Sequence, residues 1–306
     1  MGGETCLRNA TDRQIGSEPA LLEQTRMNET ANRSEPIGGI KTCSVDLNGQ
    51  PVHVGIRGGR SDWPPLLIFN GIGANLELLT PLVEALTDRE IVVFDVPGVG
   101  GSPAPLLPYR FTTLASLTDR LTRRLGYSEQ FDVLGVSWGG ALAQQFAYQY
   151  AARCRHLILA SSSPGAIMVP GRLSVLSKLL SPRRYTDPEY LQRIGGHIYG
   201  GAYRRNAGLL REHSRHMRSP GGRGYLYQLF AAWGWTSFPW LRFIRQPTLV
   251  MHGSDDPLVP LINAKILAAC IPKAQLHVVE DGHLFLLTRA REVASVMQRF
   301  LTGNAS

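Results

Sequence analysis

The sequence predicts an α/β protein: a mostly parallel, doubly wound eight-stranded sheet, entered through an antiparallel hairpin and interrupted by a helical insertion. Three observations carry that prediction. Short, nearly continuous apolar runs recur along the chain, helix-like stretches separate them, and the alternation stops for about eighty residues before it resumes. The hairpin comes first, with Thr42–Leu47 and Val52–Arg57 flanking Asn48-Gly49, the dipeptide that tight two-residue turns select. Six apolar runs come after it, at Leu66–Phe69, Ile91–Phe94, Phe131–Val136, His156–Ala160, Thr248–Met251 and Gln275–Val279. Runs of this kind suit strands buried on both faces of a parallel sheet. The helices between them are expected at Leu76–Leu86, Leu114–Leu125, Ala141–Tyr150, Leu261–Ala269 and Arg289–Leu301. From 164 to 246 no buried-strand run occurs, while Pro, Gly, aromatics and stretches such as Pro188–Ile194 do. A structureless loop of that length does not fit a compact domain, so the segment is expected to be a helical cap on a core made of 37–163 and 247–306.

Composition narrows the function classes. With 306 residues, 43% of them hydrophobic, the chain suits one large domain with an insertion. No apolar run approaches the ~20 residues that span a bilayer. Residues 1–36 are polar and lack the apolar core of a secretory signal, so they are expected to form a flexible extension and the protein to be cytoplasmic. Cys6, Cys43, Cys154 and Cys270 are scattered, without metal-type spacing, and reduced thiols are the expectation. The formal charge is +8, and it concentrates between Gly165 and Arg245, where twelve arginines and Lys178 face Asp187, Glu189 and Glu212. No nucleic-acid motif accompanies this excess, so it is read as a solvated face without a nucleic-acid partner.

The chemistry is announced by Gly135-Val136-Ser137-Trp138-Gly139-Gly140, which comes after a strand and opens a helix. This is the context of a nucleophile elbow, in which a tight turn lifts the serine hydroxyl above the sheet. A serine needs a base, and the base needs an orienting acid. After the strand Thr248–Met251 come Asp255-Asp256-Pro257, and after Gln275–Val279 comes Gly282-His283. Ser137, Asp256 and His283 therefore stand in the order Ser, Asp, His that this architecture requires. Asp255 is the rival acid, expected instead to cap a helix or face solvent. The stretch Leu157–Ala166 offers no acid. An oxyanion hole is expected from the N–H groups of Trp138 and of Ile72, in the loop Asn70-Gly71-Ile72-Gly73. That loop fails as a nucleotide fingerprint, since no third glycine stands at Leu76, and neither a P-loop nor H-E-x-x-H occurs. His213 and His216 are read as a solvated face rather than metal ligands, and no cofactor or metal is expected.

From about Thr42 to Leu301 the chain resembles the α/β-hydrolase superfamily, and within it the intracellular depolymerases of medium-chain-length poly(3-hydroxyalkanoate). The segments that carry the resemblance are Pro65–Leu78, Phe94–Ser102, Gly135–Phe146, Ser181-Pro182-Arg183-Arg184-Tyr185, Gly234-Trp235-Thr236-Ser237 and Asp281–Leu286. The elbow and the Gly-His step are superfamily-wide, whereas the Asn70 loop and the insertion segments are narrower. The resemblance implies that Ser137, Asp256 and His283 form the triad and that Asn70 belongs to the substrate site. It implies an enzyme on or near polyester storage granules, cutting esters between 3-hydroxyacyl units. The extension to about Pro36 departs from the family pattern. Tyr225, Tyr227, Phe230, Trp233, Trp235, Phe238 and Trp240 form an aromatic stretch that lines an acyl pocket or polymer-contacting face, or is the insertion's own core. For substrate contact, Trp233, Trp235 and Phe238 are the chosen residues. The alternatives are a 3-hydroxyacyl thioesterase or acyltransferase with the same triad, a generic carboxylesterase or carbon–carbon hydrolase, and a non-catalytic binder. Oligomeric state stays open.

Overall fold

The computed structural model describes residues 39–60, 62–180, 182–218 and 221–303. The extension expected over residues 1–36, Cys6 within it, and Ser181 lie outside these. Eight strands, β1 (Lys41–Asp46), β2 (Pro51–Arg57), β3 (Leu66–Phe69), β4 (Ile91–Phe94), β5 (Phe131–Val136), β6 (Cys154–Ala160), β7 (Thr248–Gly253) and β8 (Ala274–Val279), form one sheet in the order β1-β2-β4-β3-β5-β6-β7-β8. β1 pairs antiparallel with β2, and β2 antiparallel with β4; every other pairing is parallel. At the first turn Asn48 and Gly49 have φ of 59° and 83°, the paired positive values that a tight hairpin needs.

The apolar runs are explained by two cores, one on each face. Along β3, Leu67 and Phe69 join one core cluster while Leu66 and Ile68 join the other, because successive side chains of a strand point oppositely. The helices divide in the same way. On the first face lie α2 (Phe111–Arg124), α3 (Trp138–Gln149) and α10 (Leu261–Cys270), and on the second α1 (Thr80–Ala85), α11 (Phe285–Thr288) and α12 (Ala290–Thr302). Helix α2 starts three residues before the sequence pattern indicated, because Phe111, fully buried, anchors its first turn.

Between β6 and β7 run α4 (Leu173–Leu176), α5 (Arg183–Thr186), α6 (Pro188–Tyr199), α7 (Gly201–Arg205), α8 (Ala207–Arg215) and α9 (Gly222–Ala232). Val175, Leu191, Ile194, Ile198, Tyr203 and Leu210 give this segment a third core of its own. Among the described residues no helix is long and apolar enough to cross a membrane. Cys154 and Cys270 are free thiols.

Candidate active site

The turn after β5 holds Ser137 at φ 55°, ψ −115°, a strained conformation for a residue with a side chain. Helix α3 begins at the next residue, so its N-terminus lies directly behind the serine. Gly139 is needed where it stands, since a Cβ there would lie 2.2 Å from the Phe69 carbonyl oxygen. The structure brings Ser137, His283 and Asp256 together. His283 Nε2 lies 3.0 Å from Ser137 Oγ, and His283 Nδ1 lies 2.7 Å from Asp256 Oδ2. The second carboxylate oxygen of Asp256 accepts the N–H groups of Leu258 and Val259, at 2.9 and 3.0 Å, which fixes the plane of the acid. His283 itself is held by its own backbone, its N–H donating to the Tyr199 carbonyl and its C=O accepting from Ser161 Oγ.

Asp255, by contrast, points away from the imidazole. It caps α7 through the Gly201 N–H and pairs with Arg204 at 2.9 Å, both side chains about half exposed. No sequence motif marks His252, yet it sits buried beside the acid, its ring 3.4 Å from Asp256 Oδ2. Burial lowers its pKa, and its Nε2–H donates to the Val259 carbonyl, so a neutral ring braces the loop that carries Asp256.

The N–H groups of Ile72 and Trp138 have no hydrogen-bond partner among the described residues, and both residues line the cavity above Ser137. Two side chains missed by sequence reasoning hold this loop in place. Gln228 of α9 accepts the Gly73 N–H with its side chain and the Trp138 indole N–H with its backbone carbonyl. The Tyr185 hydroxyl donates to the Ile72 carbonyl. Gln228 lies in no marked segment, and Tyr185, though in a segment that carries the resemblance, has no role there, because both act across about ninety residues or more of sequence.

The cavity measures about 380 Å³ and is walled largely by apolar side chains, among them Leu78, Phe111, Val136, Met168, Leu179 and Leu284. Of the four residues expected to bind substrate, Asn70 and Trp235 line it. Asn70, however, uses its amide on its own loop, accepting from Gly71 N–H and donating to the Asn75 carbonyl. Trp235 packs on Phe111, ring centroids 4.9 Å apart, and its indole N–H donates to Gln145. Trp233 and Phe238, the other two, are 72% and 44% exposed and lie outside the lining of this cavity. The chain turns at Gly234, at φ 70°, and Trp233 lies against Phe230 and Arg110 at the surface. His213 also departs from expectation. It lines the cavity between the Tyr199 and Tyr203 rings, and burial pushes its pKa down to about 4, whereas His216 is exposed.

A profile of the alpha/beta hydrolase fold matches residues 64–290. The chain belongs to the alpha/beta hydrolase family. It is 55% identical over 259 residues to a poly(3-hydroxyalkanoate) depolymerase of Ectopseudomonas oleovorans, covering 84% of this chain and 91% of that one. Among solved structures, this alpha/beta hydrolase superposes on the enol-lactonase of Burkholderia xenovorans LB400 with a TM-score of 0.74 at 22% identity, over 85% of this chain and all of the other. A hydrolase of Pseudomonas aeruginosa PA01 gives 0.72 at 21% identity, over 86% and 98%. At such identities these structures speak for the fold alone.

Proposed function

We propose that this alpha/beta hydrolase is a serine esterase that depolymerises medium-chain-length poly(3-hydroxyalkanoate) and releases 3-hydroxy fatty acids. The observation that carries the reading is the Ser137–His283–Asp256 chain of hydrogen bonds, opening into an apolar cavity, in a protein 55% identical to a poly(3-hydroxyalkanoate) depolymerase. In this mechanism His283 Nε2 takes the Ser137 proton as Oγ attacks the ester carbonyl. The carbonyl oxygen, as it gains charge, accepts the Ile72 and Trp138 N–H groups. Collapse expels the 3-hydroxyl of the next unit, which receives its proton from His283. Water then attacks the acyl-enzyme by the same steps, giving the free acid and restoring Ser137. Asp256 keeps Nδ1 protonated and stabilises the imidazolium.

In this reading residues 164–246 act as a cap over the acyl chain, with Trp235 and Phe111 as its aromatic wall. The work is done in the cytoplasm at the surface of the polyester granule, where the exposed Trp233 and Phe238 belong to the outer face. The free thiols of Cys154 and Cys270 agree with a reducing compartment. The test is incubation with medium- and short-chain polyester granules and with a 3-hydroxyacyl thioester, then identification of the released acids. Release of 3-hydroxy acids from medium-chain granules supports the reading. Turnover of the thioester alone replaces it with the thioesterase.

A further inference from the structure

The cavity contains one charged group that ester chemistry does not use. Arg184, on α5, lines the cavity and is 3% exposed. Its Nη1 donates to the Tyr225 hydroxyl at 2.9 Å and its Nη2 to the Tyr185 hydroxyl at 3.2 Å. Both hydroxyls pass their own protons onward, Tyr225 to the Leu179 carbonyl and Tyr185 to that of Ile72, so each is committed to accepting from the guanidinium. The two rings flank the cation, their centroids 4.6 and 5.5 Å from Cζ. The buried Nε–H has no partner.

Among the described residues no carboxylate pairs with Arg184. Its neighbours in the segment are treated differently: Arg183 pairs with Asp187, Arg204 with Asp255 and Arg218 with Glu77, all three arginines about half exposed. A guanidinium does not give up its proton, and a buried charge without a counter-charge costs several kcal/mol. Aromatic faces and hydroxyl dipoles offset part of that cost but supply no negative charge. His213 on the same wall, its pKa near 4, is neutral at neutral pH and leaves Arg184 as the permanent cation of the lining. The cation is also tied to the chemistry, because Tyr185 bonds both Arg184 and the loop of Ile72.

We infer that Arg184 receives a substrate carboxylate, the free carboxyl end of the polyester chain. This rests on the esterase reading above, and the chemistry of the chain then assigns the side. In a 3-hydroxyacyl polyester the part transferred to Ser137 ends in a hydroxyl, and only the leaving part carries the carboxyl terminus. With Arg184 occupied, the cut falls near that terminus and releases short hydroxy acids rather than random fragments. Guanidinium takes carboxylate through charge-assisted N–H bonds, and each Nη of Arg184 has a second N–H besides the one given to a tyrosine.

The experiment compares one dimer of 3-hydroxyoctanoate as the free acid and as its primary amide, following cleavage of the ester between the two units. Wild-type kcat/KM is expected to favour the acid by about tenfold or more, the scale of hydrogen bonds to a charged group. In Arg184→Gln the ratio should fall to within about threefold of one, and Arg184→Lys should lie between. The ratio does not depend on how much of a variant is folded. A wild-type ratio near one, or a ratio unchanged in Arg184→Gln, overturns the role of Arg184 and leaves the esterase reading standing. If the wild type hydrolyses neither dimer, both inferences fall together.

Discussion

Two buried aspartate–histidine pairs of nearly the same geometry lie at opposite ends of this sheet. At the N-terminal ends of β5 and β6, His156 Nδ1 is 2.9 Å from Asp132 Oδ1, and beyond the C-terminal ends of β7 and β8, His283 Nδ1 is 2.7 Å from Asp256 Oδ2. Both aspartate side chains are fully buried. The difference lies in what else each group meets. Asp132 is also gripped by Arg89 and Arg155, at 2.8 and 2.7 Å, so its charge is shared between two cations, and the His156 ring lies edge-on to Phe300. Asp256 has two backbone N–H groups and no arginine, so its charge remains for the imidazole, and that imidazole faces a serine. An aspartate–histidine bond is thus closed off among arginines in one place and turned toward a serine hydroxyl in the other. The carboxyl ends of the strands, where loops diverge over a crevice, are where the second use arises.

The largest expected effect erases that difference. Ser137→Ala removes the group beyond the imidazole and should lower kcat on a chromogenic ester by about 10⁶, leaving the melting temperature unchanged or higher. Activity within tenfold of the wild type would show that the Asp256–His283 pair serves no nucleophile. Asp256→Asn comes next, with a loss of about 10⁴ in kcat, because the amide favours the wrong imidazole tautomer. Asp132→Asn is the converse. It leaves Arg89, 1% exposed, without a full counter-charge, and should cost about 3–5 kcal/mol, read as a melting temperature lower by roughly 10 °C. The kcat of the folded fraction should stay within about twofold of the wild type.

That stability gap has a defined pH window. Burial works against the Asp132 carboxylate, but its bonds to His156 and Arg155 outweigh it and hold the folded pKa below the usual value. A depressed carboxylate stabilises above its unfolded pKa of about 4 and loses that contribution as pH falls through the folded value. The gap between wild type and Asp132→Asn should be present above pH 5 and narrow below about 4. The smallest effect is expected at Asp255, whose pairing with Arg204 is half exposed. Asp255→Asn should change kcat by less than about threefold and stability by no more than ~1 kcal/mol. A ranking with Asp255 above Asp256 would move the acid role by one residue.

The inner strands were legible because a doubly covered sheet leaves no polar alternation to confuse, and all eight strands lie within two residues of the spans expected for them. The order of Ser137, Asp256 and His283 was readable in the same way, from the residues at the exit of each strand. Their convergence was not, since contacts spanning 146 and 27 residues leave no local trace. The aromatic stretch showed the limit most plainly. Composition placed Trp233, Trp235 and Phe238 together, but a single turn at Gly234 sends Trp233 outward and Trp235 to the cavity. Arg184 was invisible as a site because its distinguishing property is a missing counter-charge, and absences of that kind exist only in three dimensions.

The covering segment is sewn to the catalytic loops along one seam. The His283 N–H donates to the Tyr199 carbonyl at the end of α6, and Gly200, at φ 67°, lets the chain pass so close to the acid loop that a Cβ would lie 2.0 Å from the Asp255 carbonyl oxygen. On the other side of the same junction, Asp281 accepts the Ala202 N–H. The loops held in this way are those that carry His283 and Asp256. The segment cannot swing open at this edge without unseating the imidazole, so here it behaves as a fixed wall rather than a hinged lid. Heating that detaches it should extinguish turnover in the same transition, and an insertion at Gly200 should silence the enzyme from a position that touches no reacting atom.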